Sequence, residues 1–361
     1  MMDKVREILC QDFVTRHLGI NHITHEELLE HNLTIPNRLF GGENIAIVIC
    51  DGTYIYFNKS SNYMFQKDSY SLHKYRNLVK PFLIVACDGY IVDCFGPYKA
   101  TTSDAVIMNN LFYDENSALR LYFRSGDAFI LDRGFRDSIS LLENCGYRAF
   151  MPESLLEGEH QLTTAQANQS RCVTICRWVV EVVNGYFKRD YKILRQEYFN
   201  RSLPHMMQNF EIAAALLNRF GVCLKDNINA RQILEIVREK INLENNLANM
   251  VEAHNMNRRT VNFQNITADR NNVYFPMLEY NDLILFALGT YQIRQARSNY
   301  GENVRFHGGY RIEVCSERLD SSGHNLRGSG DTILIRGKIK SRHVSRRQYY
   351  VYILIETNLA G

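Results

Sequence analysis

The chain has 361 residues, 45% of them hydrophobic and 22% charged, with a formal charge of +3, which excludes a disordered, fibrous or globally basic protein and leaves room for more than one core. Any grip on nucleic acid must therefore come from local basic patches. No apolar run approaches the ~20 residues of a membrane helix, and the opening Met1-Met2-Asp3-Lys4-Val5-Arg6-Glu7 lacks a secretory pattern, so the expected location is inside the cell, away from membranes.

Residues 3–31 carry helical periodicity, and Thr24-His25-Glu26-Glu27 reads as an N-cap followed by first-turn acids. His22 and His25 read as a surface pair flanking that helix start. Gly41-Gly42 closes this helical N-terminal segment (1–42). Asn44 to Cys50 is a continuous apolar run, Thr53 to Phe57 alternates, and Phe82 to Cys87 is a second buried run. The motif Cys-Asp-Gly occurs at 50–52 and again at 87–89. The second copy separates two apolar runs and reads as a hairpin turn, so only the first offers a candidate acid, Asp51. Between them Lys59, Lys67, His73, Lys74, Arg76 and Lys80 form a basic connection interleaved with tyrosines, suited either to phosphate or to solvent. Thr101 to Met108 is a capped helix start that puts Asp104 in the first turn or near a site. Phe129-Ile130-Leu131 is a buried strand ending on Asp132. Asp137-Ser138 reads as the cap of a helix reaching Gly146, and Arg148 to Met151 as a fifth strand stopped by Pro152.

Val179-Val180-Glu181-Val182-Val183-Asn184-Gly185 has hairpin propensity. On a helix, however, Arg177, Glu181, Asn184 and Lys188 make one polar stripe on an otherwise apolar cylinder, which accounts for every residue. Three acids stranded among apolar neighbours, Asp51, Asp132 and Glu181, are costly unless compensated, and a divalent cation is the usual compensation. A further helix spans 205–220, and 229–256 is polar and helical. Nine cysteines without a Cys-x-x-Cys pair predict buried thiols rather than a disulfide framework or zinc knuckle. Cys172 and Cys176, one helical turn apart, are the sole suggestive pair, and two thiols alone do not complete a tetrahedral site. After Pro276 comes an amphipathic helix over Asp282–Asn299, then strands at 310–314, 332–339 and 348–356. The turn joining the last two carries Arg336, Lys338, Lys340, Arg342, Arg346 and Arg347 with no acid among them: a basic hairpin that faces nucleic acid or merely solvent.

The segments Val48 to Tyr56, Tyr70-Ser71-Leu72-His73-Lys74, Leu131 to Asp137 and Arg177 to Asn184 together resemble the DDE superfamily endonucleases related to PIF/Harbinger transposases, over about residues 10–220. The resemblance implies an α/β, RNase H-like catalytic domain (43–222) with a mixed five-stranded sheet flanked by helices. The helical N-terminal segment precedes it, and a helical linker (223–280) and a small C-terminal α+β unit (281–361) with its basic hairpin follow. It also implies a metal-binding triad of Asp51, Asp132 and Glu181, with Glu181 on a helix and Asp104 auxiliary. Two Mg²⁺ or Mn²⁺ ions would cleave DNA there. Arg133, Arg136, Lys188 and Lys192, together with Lys340, Arg342, Arg346 and Arg347, are the candidate DNA contacts. Such proteins take sequence recognition from a helix-turn-helix segment or from a separate DNA-binding protein, and a DNA substrate implies the nucleus. The rival reading is a domesticated scaffold that keeps the fold, binds DNA and does not cleave it.

Overall fold

The computed structural model describes residues 2–155, 157, 161–258, 262–266, 275–306, 310–315, 331–340 and 348–357. They belong to two compact units, Met1–Ile241 and Asn242–Gly361.

The first unit is built on strands β1 (Ile47–Gly52), β2 (Ile55–Tyr56), β3 (Tyr70–Ser71), β4 (Arg76–Ala86), β5 (Ile91–Lys99), β6 (Ala128–Ile130) and β7 (Arg148–Phe150). Five of them make the expected mixed sheet in the order β5-β4-β1-β6-β7, and two-residue β2 and β3 add pairings along β4. Strands β1, β4 and β5 are antiparallel neighbours, whereas β1-β6 and β6-β7 are parallel. This is an RNase H-like arrangement. The apolar runs read from the sequence are its centre: Ile47, Val48, Ile49 and Cys50 are fully buried, as β1 is flanked on both edges. Asp88-Gly89 makes the β4-β5 turn, with Gly89 at φ +91 where a side chain would be strained.

The N-terminal helices pack on this sheet. Thr24 caps the His25–Glu30 helix with a reciprocal Thr24/Glu27 capping box, and Leu28 is fully buried. The two histidines are not a surface pair. His25 is buried and its Nε2 lies 2.8 Å from Asp127, whose carboxylate also accepts from the Ala46 and Arg124 amides. His22 is half-buried and bonds the Tyr90 hydroxyl at 2.6 Å. Propensity alone does not see these partners, since they come from 68 to 102 residues away.

The acidic strand end at Asp132 is followed by a 3-10 turn, Arg133–Ser138, that runs directly into the Ile139–Asn144 helix. Asp132, rather than Asp137 or Ser138, supplies the cap, accepting from the Gly134 amide at 2.6 Å. Glu181 lies on a 27-residue helix, Thr164–Asp190, started by a Thr163/Gln166 capping box. Hairpin propensity loses because Val173, Cys176, Val179, Val180, Val183 and Phe187 recur on one face and are all buried.

The stretch expected as a linker divides between the units. Ile233, Leu234 and Val237 of the Ala230–Lys240 helix are buried in the first, while Met250 and Val251 of the Asn246–Ala253 helix share a core with Met256, Phe263 and Leu334 in the second. The second unit carries the antiparallel sheet β8 (Phe263–Asn265), β9 (Tyr310–Cys315), β10 (Asp331–Lys340) and β11 (Gln348–Thr357). Its expected single helix is broken at Leu288-Gly289 into Tyr280–Ala287 and Thr290–Phe306, Leu288 being left-handed. No helix among the described residues is long and apolar enough to cross a membrane.

Arg336 and Lys338 do not belong to an exposed basic tip. Arg336 sits inside β10, is fully buried, and pairs in register with Glu313 of β9, its Nη2 2.6 Å from the carboxylate, while Lys338 Nζ reaches the same carboxylate at 3.0 Å. Arg342, Arg346, Arg347 and the Lys340 side chain lie outside the described residues.

Candidate active site

Parallel register sets the site. Ile49 of β1 pairs with Ile130 of β6, so Asp51 and Asp132 each stand two residues beyond the last paired position, level with one another and with the same side-chain parity. Asp104 arrives from a different direction, in the first turn of the Asp104–Phe112 helix, which Ser103 caps. A β-carbon at position 52 would stand 2.6 Å from Asp104 Oδ1, so Gly52 is needed for that carboxylate to lie against β1 beside Asp51. One at position 134 would meet Asp132 Oδ1 at 2.9 Å and Asp104 Oδ2 at 3.6 Å, which places these two acids on either side of Gly134.

Glu181 faces the group from the long helix and is partly exposed, with Oε1 2.8 Å from Arg177 Nη2 one turn earlier. One further turn on, Asn184 Nδ2 donates to Asp51 Oδ2 at 3.1 Å, while its Oδ1 is buried with no hydrogen-bond partner. The polar stripe read from the sequence therefore lines the site. Lys80, expected in a basic loop, is instead a buried residue of β4 that donates to the Thr102 carbonyl at 2.7 Å and approaches Asp104 at 3.4 Å.

The electrostatics follow. Burial pushes the Asp51 carboxyl up to about 7; Arg177 pulls it down, and Asp132, Asp104 and Glu181 push it up further. Asp104 is also raised, by burial and then by Asp132, against the pull of Lys80. Four acids, Asp51, Asp104, Asp132 and Glu181, thus share the site with the cations Arg177, Lys80 and Lys188. Of the expected DNA contacts, Lys188 is half-buried and its ammonium is lowered by burial and by Lys74, with Asp51 pulling it back up. Arg133, Arg136 and Lys192 are exposed, with Arg136 beside Asp137.

The sequence reading missed Arg177, Asn184 and Lys80 as working parts of the site. The first two were in view as members of the stripe. Lys80 carries its own signal: a lone lysine in the apolar strand Leu78-Val79-Lys80-Pro81-Phe82 needs a buried partner.

Residues 50–218 match the family model described as DDE superfamily endonuclease. This segment is a DDE-family domain. The matched stretch starts next to Asp51, contains Asp104, Asp132 and Glu181, and ends within the Met206–Phe220 helix, so it covers the acidic site and the sheet that builds it. No curated protein and no solved structure matches the chain.

The donor set fits hard divalent cations. Every candidate ligand is an oxygen, Asp51 is a half-buried carboxylate with three acids as neighbours, and the unpartnered Asn184 Oδ1 belongs to the amide that bonds it. Asp51, Asp132 and Glu181 do not gather their oxygens within 4.8 Å of one another, as one shared ion would require. Two ions ~3.5–4 Å apart ask for something looser, a central ligand between two outer ones set well apart.

Proposed function

We propose that the DDE-family domain is a metal-dependent endonuclease of transposase origin that cleaves DNA phosphodiester bonds, with Asp51, Asp132 and Glu181 as the metal-holding triad and Asp104 as an auxiliary acid. The observation that carries this reading is the half-buried Asp51 carboxylate at the end of β1, raised to about 7 by burial and bordered by three further acids, Asp132, Asp104 and Glu181. Asp51, at the end of β1, Asp132, at the end of β6, and Glu181, on the long helix, would hold the ions. When bound, two Mg²⁺ or Mn²⁺ ions supply an acidified water as nucleophile and neutralise charge on the departing 3′ oxygen.

The chain's own groups prepare that chemistry. Asn184 fixes one Asp51 oxygen, leaving the other available, and the Gly134 amide does the same for Asp132. Arg177 holds Glu181 in a defined rotamer until a cation competes for it. Lys80 and the close fit at Gly52 keep Asp104 turned toward β1. Lys188, half-buried beside the acids, reaches the phosphate next to the scissile bond, and Arg133, Arg136 and Lys192 extend the track. Lys340, Arg342, Arg346 and Arg347 give a second contact, a separate DNA-binding protein supplies sequence recognition, and the activity belongs in the nucleus.

The test is cleavage of labelled duplex DNA, RNA and hybrid by the full chain with Mg²⁺ or Mn²⁺, beside Asp132→Asn. We expect metal-dependent nicking of DNA that falls by more than ~100-fold in the variant, beyond what loss of an outer-shell partner typically causes. Absence of cleavage by the native chain on every substrate overturns the reading and favours the non-cleaving scaffold.

A further inference from the structure

We propose a second metal site, for Zn²⁺, formed by His31, Asp88 and Cys223. It shares no residue with the acidic triad, is chemically unlike it, and is independent of whether the domain cleaves DNA. His31 follows the Thr24-capped helix, Asp88 is in the β4-β5 turn, and Cys223 lies just beyond the Met206–Phe220 helix. One ligand atom from each, a ring nitrogen, a carboxylate oxygen and a thiol sulfur, lie within 4.8 Å of one another, and no other three such groups among the described residues do so.

The surroundings hold these ligands in place. His31 Nδ1 is 2.7 Å from Asp88 Oδ2, and the other oxygen of Asp88 accepts the Tyr90 amide at 3.0 Å. The Tyr90 ring stacks on the His31 imidazole, with centroids 4.4 Å apart and planes 27° from parallel, and its hydroxyl is tied to His22. The Leu224 amide donates to the Asp88 carbonyl at 2.7 Å, which brings the neighbouring Cys223 to the turn.

Ligand chemistry selects the ion. Imidazole, thiolate and carboxylate together suit Zn²⁺ and not Mg²⁺, which keeps to oxygen. Thiolate and carboxylate neutralise its two charges, and a fourth, solvent position remains open. Tetrahedral bonds of ~2.0–2.3 Å set neighbouring ligand atoms ~3.3–3.7 Å apart, so the His31 and Asp88 side chains need open by only about half an ångström as the bridging proton is replaced. The ion would staple three segments that are separated by 57 and 135 residues of chain.

The experiment titrates Co²⁺, as a spectroscopic stand-in, and then Zn²⁺ into the full-length reduced chain. A near-ultraviolet thiolate-to-cobalt charge-transfer band should appear, be displaced by Zn²⁺, survive in Asp132→Asn, and vanish in Cys223→Ser and His31→Ala. The all-oxygen acidic site cannot produce that band, so failure here and failure of the nuclease reading stay distinguishable. At 100-fold excess over its dissociation constant, Zn²⁺ should raise the melting temperature by roughly 5 °C, and not in Cys223→Ser, whose exposed residue is dispensable for packing. Absence of the band in the native chain, or its persistence in Cys223→Ser, overturns the proposal.

Discussion

Asp51 in the first unit and Glu313 in the second are both carboxylates inside a sheet, yet they shift in opposite directions. Burial is the largest influence on each and acts upward on both. For Glu313 it is overcome by hydrogen bonds and charge from Lys338 and Arg336, so the group ends below the usual carboxylate range. For Asp51 the neighbours are mostly other acids, and it ends at about 7. The second unit has answered its buried acid with protein: an arginine in register across β9-β10, stacked over Phe263 at 3.6 Å and donating to the Met256 carbonyl at 2.6 Å. The first unit gives its acid, at an open strand end, one amide donor from Asn184 and the charge of Arg177 against three further acids, and that difference separates a structural ion pair from the site at which we propose metal ions.

The strongest way to break the comparison is to remove the answer. Arg336→Ala leaves Glu313 with Lys338 alone and empties the space over Phe263, and should cost about 3 kcal/mol, a large part of what a unit of this size has. Hydrogen exchange across β9, β10 and β11 would report it. Glu313→Leu with Arg336→Met and Lys338→Met, which removes all three charges at similar volume, should regain most of the loss. If Arg336→Ala leaves exchange unchanged, the pair is not what holds that sheet.

The mirror experiment on the first unit should have the opposite sign. Asp51→Asn removes a buried charge that the metal-free protein tolerates at a cost, so in chelator at pH 8 the variant should be more stable, on the order of 2–4 kcal/mol for a carboxyl moved from 3.8 to about 7. Added Mg²⁺ should raise the urea midpoint of the native chain and leave the variant unmoved. A destabilised variant would mean that Asp51 already has its compensation within the protein.

What could be read in advance divides along the same line. The core strands were legible because their burial is continuous in sequence, and Asp51 and Asp132 because each ends such a run. Glu181 was legible because a polar stripe at helical spacing decided between two propensities. Arg336, by contrast, looked like a member of a basic turn, since the acid that neutralises it is 23 residues away and becomes a neighbour only through strand register. Lys80 was misplaced for the same reason: its acid, Asp104, comes from a helix 24 residues on. The His31-Asp88-Cys223 group was invisible because local rules had already explained Asp88 as a turn residue, and they were right about the turn. Local pattern finds elements and the ends of elements; it does not find pairs that only tertiary contact creates.

The smallest effect isolates the acidic site from ordinary buried acids nearby. Asp93 on β5 is pushed up to about 6 by burial, despite accepting from the Cys94 amide at 2.8 Å and from the Ile20 amide, and it in turn helps raise Glu211. A folded-state pKa above the unfolded value means that the stability this group allows is fully present below about pH 4 and is lost as pH rises through 6. Asp51 behaves likewise, but its loss completes near 7. In chelator, urea midpoints of the native chain should therefore fall from about pH 4 to about pH 7 in two overlapping steps. Asp93→Asn should remove the lower step, roughly 1–2 kcal/mol, and Asp51→Asn the upper one. Mg²⁺ should suppress the upper step alone, because Asp51, unlike Asp93, has Asp132, Asp104 and Glu181 as neighbours. If the cation flattens both steps equally, its effect is a general screening of charge and the acidic cluster has no special claim on it.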